Sequence, residues 1–218
     1  MSNVKLVWVT PDADNLVAYM ARVSAPENQQ KNESPLRLVN YLIKHKHWSP
    51  FEMVSACFEI NTTRDIGRQL LRHRSFYFQE FSQRYSSIDS LPESPTREAR
   101  LQDTKNRQNS TECDDLSLIQ DWNEKQGEIR QWTLEAYEWA LNNGIAKEVA
   151  RAVLPEGLTT SRLYMSGTLR SWLHFCALRR GNGTQKETRI VADNVWEALK
   201  EVCPMTCSAW ESAAGGGA

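Results

Sequence analysis

The chain has 218 residues, with 26 Lys and Arg against 27 Asp and Glu and a formal net charge of −1. A chain of this length fits one domain burying about 70% of its unfolded surface, which excludes a second full catalytic domain. The neutral balance excludes a general attraction to nucleic acid or membrane, so an anionic ligand has to be met by a local cluster of cations.

Residues 4–9 (VKLVWV) read as a strand, and Thr10-Pro11-Asp12 opens a helix with Leu16, Met20 and Val23 at helical spacing. Pro11, Asp12 and Asp14 interrupt the apolar runs here, which fits neither a signal peptide nor a membrane span. Ser34-Pro35 starts a second helix, serine as cap and proline in the first turn, that turns Leu38, Leu42 and Ile43 inward. Val54, Ala56, Phe58 and Ile60 alternate with Met53, Ser55, Cys57 and Glu59, the period of a half-buried strand.

Thr62-Thr63 caps a third helix whose Arg64, Arg68 and Arg72 fall at i, i+4 and i+8, lining one face with guanidinium groups. Residues 86–112 are polar, contain Pro92 and Pro95, and read as a long loop or lid. A long helix spans about 115–142, with Ile129, Trp132, Ala136 and Trp139 on one face and Asn143-Gly144 as its stop. Helices near 145–153, 166–179 and 186–202 follow, and the final AAGGGA, residues 213–218, reads as a disordered tail after a catalytic domain of residues 1–212. There is no internal repeat and no heptad run. Helices dominate, and the few strands do not alternate with them in a βαβ rhythm, so the expected class is α+β, a single domain with an antiparallel sheet flanked by helices.

Five scattered cysteines, Cys57, Cys113, Cys176, Cys203 and Cys207, are unlike a disulfide framework and indicate reduced thiols in a cytoplasmic protein. Cys203 and Cys207 have helical spacing, but a structural zinc takes four ligands and no second pair lies nearby; His45, His47, His73 and His174 form no HExxH-type set. No metal is expected.

Positive charge concentrates between residues 64 and 84, where Arg64, Arg68, Arg72, His73, Arg74 and Arg84 are interleaved with Phe76, Tyr77, Phe78, Phe81 and Tyr85. Guanidinium forks bind phosphate oxygens, and the aromatic rings can stack on a planar base. Gln79, Glu80, Ser82 and Gln83 add donors and an acceptor. There is neither a GxGxxG nor a GxxxxGK[ST] motif, so a dinucleotide would have to be held by side-chain cations rather than by backbone amides. The same residues admit a plainer reading, a solvated arginine face over core aromatics.

RHR at 72–74 followed by seven residues and Ser82 resembles the signature of the flavin-dependent thymidylate synthases. ARVS at 21–24, HKHWSPFE at 45–52, GRQLLRHR at 67–74, EVARAVLP at 148–155 and LRSWLHFCALR at 169–179 resemble that family in the same order and extend the match over most of the chain. The resemblance implies reductive methylation of dUMP to dTMP, with methylenetetrahydrofolate as carbon donor, FAD as cofactor and NADPH as reductant. It also implies a homotetramer with sites shared between subunits, and no nucleic-acid or membrane partner.

By the same resemblance Gln69, Arg72, Glu80, Ser82, Gln83, Arg84 and Arg151 hold dUMP. Arg179 contacts the uracil and favours ionisation at N3, and Ser82 stands with it at the chemistry by positioning dUMP rather than as a nucleophile. Ser24, His47, Ser49, Arg72, His73, Arg74, Glu80, Thr168, Arg170 and His174 lie around FAD. Met53, Thr168 and Gly183 stand where many members carry histidine, asparagine and histidine. Read on their own residues, Ser82 could cap a turn, His47 could be a surface histidine, Arg151 could pair with Glu148, and Arg179 and Arg180 could serve a helix C-terminus. A nucleotide-binding flavoprotein without synthase activity and a basic, aromatic nucleic-acid module are the competing readings. The cysteine-dependent thymidylate synthases are excluded, since no cysteine here has a proline-cysteine-x-histidine setting.

Overall fold

A computed structural model describes residues 2–29 and 35–215. Strand β1 (Asn3–Val9) is followed by helices α1 (Ala13–Ala21), α2 (Pro26–Gln29) and α3 (Leu36–Lys44), then by a 3₁₀ turn at Ser49–Glu52. Strand β2 (Ser55–Thr63), helix α4 (Arg64–Leu70) and strand β3 (Tyr77–Glu80) come next. A small hairpin, β4 (Arg100–Gln102) and β5 (Ser110–Glu112), precedes the long helix α5 (Leu116–Asn142). Helix α6 (Lys147–Ala150), strand β6 (Thr160–Thr168) and helices α7 (Leu169–Arg179), α8 (Lys186–Val202) and α9 (Pro204–Gly215) complete the chain.

The main sheet has the order β1-β2-β6-β3 with every neighbouring pair antiparallel. Its inner face carries the residues that alternation in β2 selects, Ala56, Phe58 and Ile60, together with Leu163 and Met165 of β6. Helices supply the other half of this core through Val17 of α1, Val39 and Leu42 of α3, Trp172, Leu173 and Phe175 of α7, and Val191, Val195, Trp196 and Leu199 of α8. The outer face is polar and exposed, with Tyr164 Oη donating to Glu59 at 2.9 Å and Arg162 Nε donating to Asn61 at 2.9 Å. This is the α+β architecture expected, and α5 docks on it through a second, smaller cluster around Tyr137, Ala140 and Ala150.

Several local expectations change. Helix α1 ends at Ala21 and buries Ala13, Val17 and Ala18, whereas Met20 and Val23 are exposed. Strands β3 and β6 were not expected; β6 occupies residues assigned partly to a helix, yet its Ser161, Leu163, Met165 and Gly167 alternate inward as a strand requires. The 86–112 segment is not a free lid: it contains the β4–β5 hairpin, and Arg97 ties it to Asp65 at 2.7 Å and to Glu187 at 3.1 Å. Helix α5 ends where expected, at Asn143 followed by Gly144 with φ of 77°. The face of Ile129, Trp132 and Trp139 points to solvent, and Gln126, Tyr137 and Ala140 face inward instead. That outer stripe continues through Leu118, Trp122 and Ala136, with four-three spacing only from Ile129 to Trp139, because Lys125 interrupts it after Trp122. Ser34 lies outside the described residues; of the tail, residues 213–215 continue α9 and 216–218 lie outside them.

Candidate active site

Helix α4 stops at Leu70, and the backbone N–H of His73 returns to the Leu70 carbonyl at 3.0 Å, so Arg72-His73-Arg74 forms the turn into β3. The three side chains split. Arg72 and Arg74 are exposed and have no carboxylate partner among the described residues, while His73 is half-buried against Phe175, ring centroids 5.0 Å apart, and Phe76. Arg179, the last residue of α7, donates from Nε to His73 Nε2 at 2.9 Å. Burial, with the neighbouring Arg179 charge adding to it, pushes the His73 pKa down to about 4, so the imidazole is neutral at neutral pH with Nε2 as acceptor.

At the far end of β3, Glu80 Oε1 accepts from Ser161 Oγ at 2.8 Å and faces Arg64 at 3.5 Å, which leaves Oε2 without a protein partner among the described residues. Ser82 is exposed and heads a turn, its carbonyl accepting from the backbone of Tyr85 and Ser86. Gln83 is buried and its Nε2 has no hydrogen-bond partner. Arg84 pairs with Glu148 at 3.2 Å and Lys147 donates to the Tyr85 carbonyl, which docks the 82–85 segment on α6 one turn from Arg151. Glu148 therefore serves Arg84 rather than Arg151, and Arg151 has no carboxylate partner among the described residues. Gln69 is committed within the chain, donating to Gln185 at 2.7 Å and accepting from Thr188 at 2.8 Å.

A third group gathers at the other end of α7. Arg170 Nη1 pairs with Glu52 of the 3₁₀ turn at 2.8 Å, and its Nε is buried without a partner. Ser49 opens that turn, exposed. His174, one turn beyond Arg170, packs edgewise on Trp48, centroids 4.9 Å apart, and near Trp210. Burial, then the Arg170 charge, lowers the His174 pKa. His47 is exposed beside Tyr41 and His45. Thr168 caps α7, its Oγ1 accepting from Ser171 N at 3.3 Å, so that hydroxyl is already occupied. Ser24 stands apart in the turn after α1, with no side-chain hydrogen bond to any of these groups. The sequence did not mark Glu52, Ser161, Gln185 or Thr188 as partners and marked Glu148 for Arg151 rather than for Arg84, yet each of the five holds an expected site residue. Their partners are distant in the chain, and no local pattern encodes such contacts.

The arginine stripe expected on α4 is thereby divided. Arg64 lies on Glu80 and Arg68 on Glu156 at 3.1 Å, both inside the chain's own ion pairs. Among the described residues, the arginines of the expected site left without a carboxylate are Arg72, Arg74, Arg151 and Arg179, and residues 5–205 match the family described as thymidylate synthase complementing protein. The chain belongs to the flavin-dependent thymidylate synthase family. It is 49% identical over 178 residues to the probable flavin-dependent thymidylate synthase of Paramecium bursaria Chlorella virus 1, covering 80% of each chain. It is 48% identical over 179 residues to the flavin-dependent thymidylate synthase of Synechocystis sp., covering 82% of this chain and 80% of that one. Among solved structures, the UMP/dUMP methylase PolB from Streptomyces cacaoi bound with 5-Br dUMP superposes with a TM-score of 0.83 at 29% identity, over 97% of this chain and 95% of that one. Within the flavin-dependent synthase family fold, the signature residues thus sit on the α4–β3 turn and at both ends of α7.

Two residues fit polar ligands on their own evidence, Arg170 a cofactor and Gln83 a nucleotide. The buried Arg170 Nε and Gln83 Nε2 lack partners, and a buried donor left unpaired costs about 1–3 kcal/mol unless a ligand or water meets it. Arg170 and Arg179 are nine residues apart on one helix, about 13 Å along its axis, so α7 alone spans the scale of a dinucleotide. Among the described residues no group of three or more His, Cys, Asp or Glu is placed to hold a metal ion, and no helix is long and apolar enough to cross a membrane.

Proposed function

We propose that this chain is a flavin-dependent thymidylate synthase that methylates dUMP at C5 of the uracil to give dTMP, using methylenetetrahydrofolate as carbon donor and NADPH as reductant. One observation carries the reading: Arg72, Arg74, Arg151 and Arg179 keep guanidinium groups free of carboxylates beside a chain that otherwise pairs its site cations. Guanidinium groups free of carboxylates are available to bind phosphate oxygens.

Arg72, Arg84 and Arg151 take the dUMP phosphate, with Ser82 and the Gln83 amide fixing the nucleotide. Glu80 Oε2, the free carboxylate oxygen, accepts from a ligand N–H or O–H. Gln69 reaches dUMP only by exchanging its bonds to Gln185 and Thr188. Arg179 acts on the ring. C5 becomes nucleophilic when the uracil is ionised, and a fixed cation beside the ring carbonyl and N3 stabilises that enolate-like anion. Arginine stays charged at every working pH. Once the carbon–carbon bond has formed, the C5 proton leaves and the methylene's bond to the folate nitrogen breaks, releasing tetrahydrofolate. His47, Ser49, Arg74, Arg170 and His174 would hold FAD, with the Trp48 and Trp210 rings beside His174 as an apolar wall. FAD bound there and reduced by NADPH would supply the hydride that completes the methyl group.

The exposed apolar stripe of α5 supports an assembly, proposed as a homotetramer whose sites are shared between subunits. Buried, unpaired thiols and the absence of a disulfide among the described cysteines support a cytoplasmic setting. The test is tritium release from 5-tritiated dUMP, measured with and without NADPH and methylenetetrahydrofolate, alongside the absorption spectrum of the purified protein. Turnover that needs both co-substrates, a bound-flavin band, and an Arg179→Ala variant that keeps the band but makes no dTMP are the expected results. Absence of a flavin band after adding FAD would sink the reading.

A further inference from the structure

The bond between Arg179 and His73 joins two residues that the family resemblance assigns to different ligands, uracil and flavin. Their contact is direct, Nε to Nε2 at 2.9 Å, and it fixes more than position. Accepting at Nε2 requires a lone pair there, so the ring proton sits on Nδ1 and the imidazole is neutral. An imidazolium could not accept from a guanidinium and would repel it. The ring itself cannot swing away, because Phe175 packs edgewise at 5.0 Å and Phe76 at 6.2 Å, and the His73 backbone is bonded to Leu70.

The guanidinium is thus held at one of its three nitrogens. Nη1 and Nη2 have no protein partner among the described residues. The choice of an imidazole is informative, because a carboxylate at the same place would neutralise the cation that the ring chemistry needs. A neutral acceptor orients Arg179 and leaves its charge intact.

We propose that His73 is a positioning residue for methyl transfer: its neutral Nε2 anchors Arg179 by Nε and so presents the two terminal nitrogens of an undiminished cation to the uracil. This rests on the reading that Arg179 contacts the uracil. His73 acts on the reaction through Arg179, beyond any contact it makes with flavin.

The test uses the flavin-loaded protein with His73→Leu and His73→Gln, the glutamine carbonyl standing near the place of Nε2 as an acceptor. Loss of orientation alone is expected to lower kcat by about 100-fold in His73→Leu. With the FAD site saturated, the KM for dUMP should stay near that of the parent, and His73→Gln should recover most of kcat. The free protein, labelled with nitrogen-15 in histidine, should show His73 at pH 7 as the neutral tautomer protonated at Nδ1, with the Nε2 resonance moving in Arg179→Ala. An undiminished kcat in His73→Leu, equal losses in the two variants, or a protonated Nε2 overturns the proposal. If Arg179→Ala still makes dTMP, the reading of Arg179 fails and takes this inference with it. If Arg179→Ala is inactive while His73→Leu is not, the inference alone fails.

Discussion

Asp14, on α1, caps a helix that begins 190 residues later: its carboxylate accepts from the backbone N–H of Met205 at 2.8 Å, from that of Thr206 at 3.1 Å, and from Thr206 Oγ1 at 2.5 Å. Helix α9 starts at Pro204 after Cys203, whose side chain offers no capping oxygen, so its free N–H groups are met from across the fold. Asp14 is 5% exposed and buried in a place where an unpaired carboxylate would be costly. The pair closes the chain's first helix on its last.

Removing that carboxylate should therefore cost more than an ordinary cap. Asp14→Ala is expected to lower stability by about 2–3 kcal/mol, since charged hydrogen bonds and a cap are lost together. Asp14→Asn, which keeps one acceptor oxygen, should fall between. Urea unfolding of the two variants checks this, and a loss in Asp14→Ala no larger than that of an exposed substitution would contradict it.

Gly167 in β6 is fixed by Phe76. A Cβ at position 167 would stand 2.5 Å from Phe76 Cδ1 and 2.7 Å from Cε1, and that ring is itself held by Trp172 at 4.5 Å. Gly167→Ala is expected to cost about 1–3 kcal/mol by overpacking, and to disturb the His73 ring that Phe76 flanks. Adding Phe76→Leu should recover part of the loss. Simple additivity of the two substitutions in denaturant unfolding would show that the clash is not the cause.

The fold and the site were legible to different depths. Alternation in β2 and the stop at Asn143-Gly144 follow from local sterics, and both read correctly from sequence. Strand β6 alternates just as clearly at Ser161, Leu163 and Met165, but its nine residues run directly into α7 at Leu169, and helical residues downstream masked the change of period. In α5 the apolar face was visible and its direction was not. Inward contacts are polar there, with Gln126 donating to the Arg97 carbonyl at 2.9 Å and Arg130 to that of Ser94 at 2.8 Å. Periodicity marks a face that avoids water and cannot say whether it meets its own core or another chain. The signature arginines were also found, but which of them stay unpaired depends on carboxylates 16 to 118 residues away in the chain, from Arg64–Glu80 to Arg170–Glu52.

Arg97 holds the 92–98 segment through Asp65, Thr63 and Glu187. Arg97→Leu leaves two carboxylates without that cation and is expected to cost about 2–3 kcal/mol. Burial alone would raise the Glu187 pKa, but its own backbone N–H, Gln185, Arg100 and Arg97 together outweigh burial and lower it. A lowered folded pKa means that this contribution is complete above the unfolded value of about 4.3 and is lost as pH falls below it. Unfolding measured at neutral pH and again below pH 4 should show a smaller acid penalty in Arg97→Leu than in the parent. An identical acid penalty would exclude the Arg97–Glu187 pair as its source.

The stripe on α5 predicts assembly. Leu118, Trp122, Ile129, Trp132 and Trp139 are each more than 40% exposed on a helix about 40 Å long, and with Ala136 they form one apolar seam that Lys125 interrupts. Such a surface is unfavourable in water and suits a second copy of the same helix, where large aromatic side chains dominate buried contacts. Trp132→Glu places a charge at the seam's centre and should dissociate the assembly to smaller species in sedimentation analysis. Glu138→Ala, exposed on the same helix but off the seam, should not. If the sites are shared between subunits, Trp132→Glu should also lose turnover at dilute concentration and regain part of it as the protein is concentrated. A Trp132→Glu protein that sediments like the parent would exclude α5 as the contact.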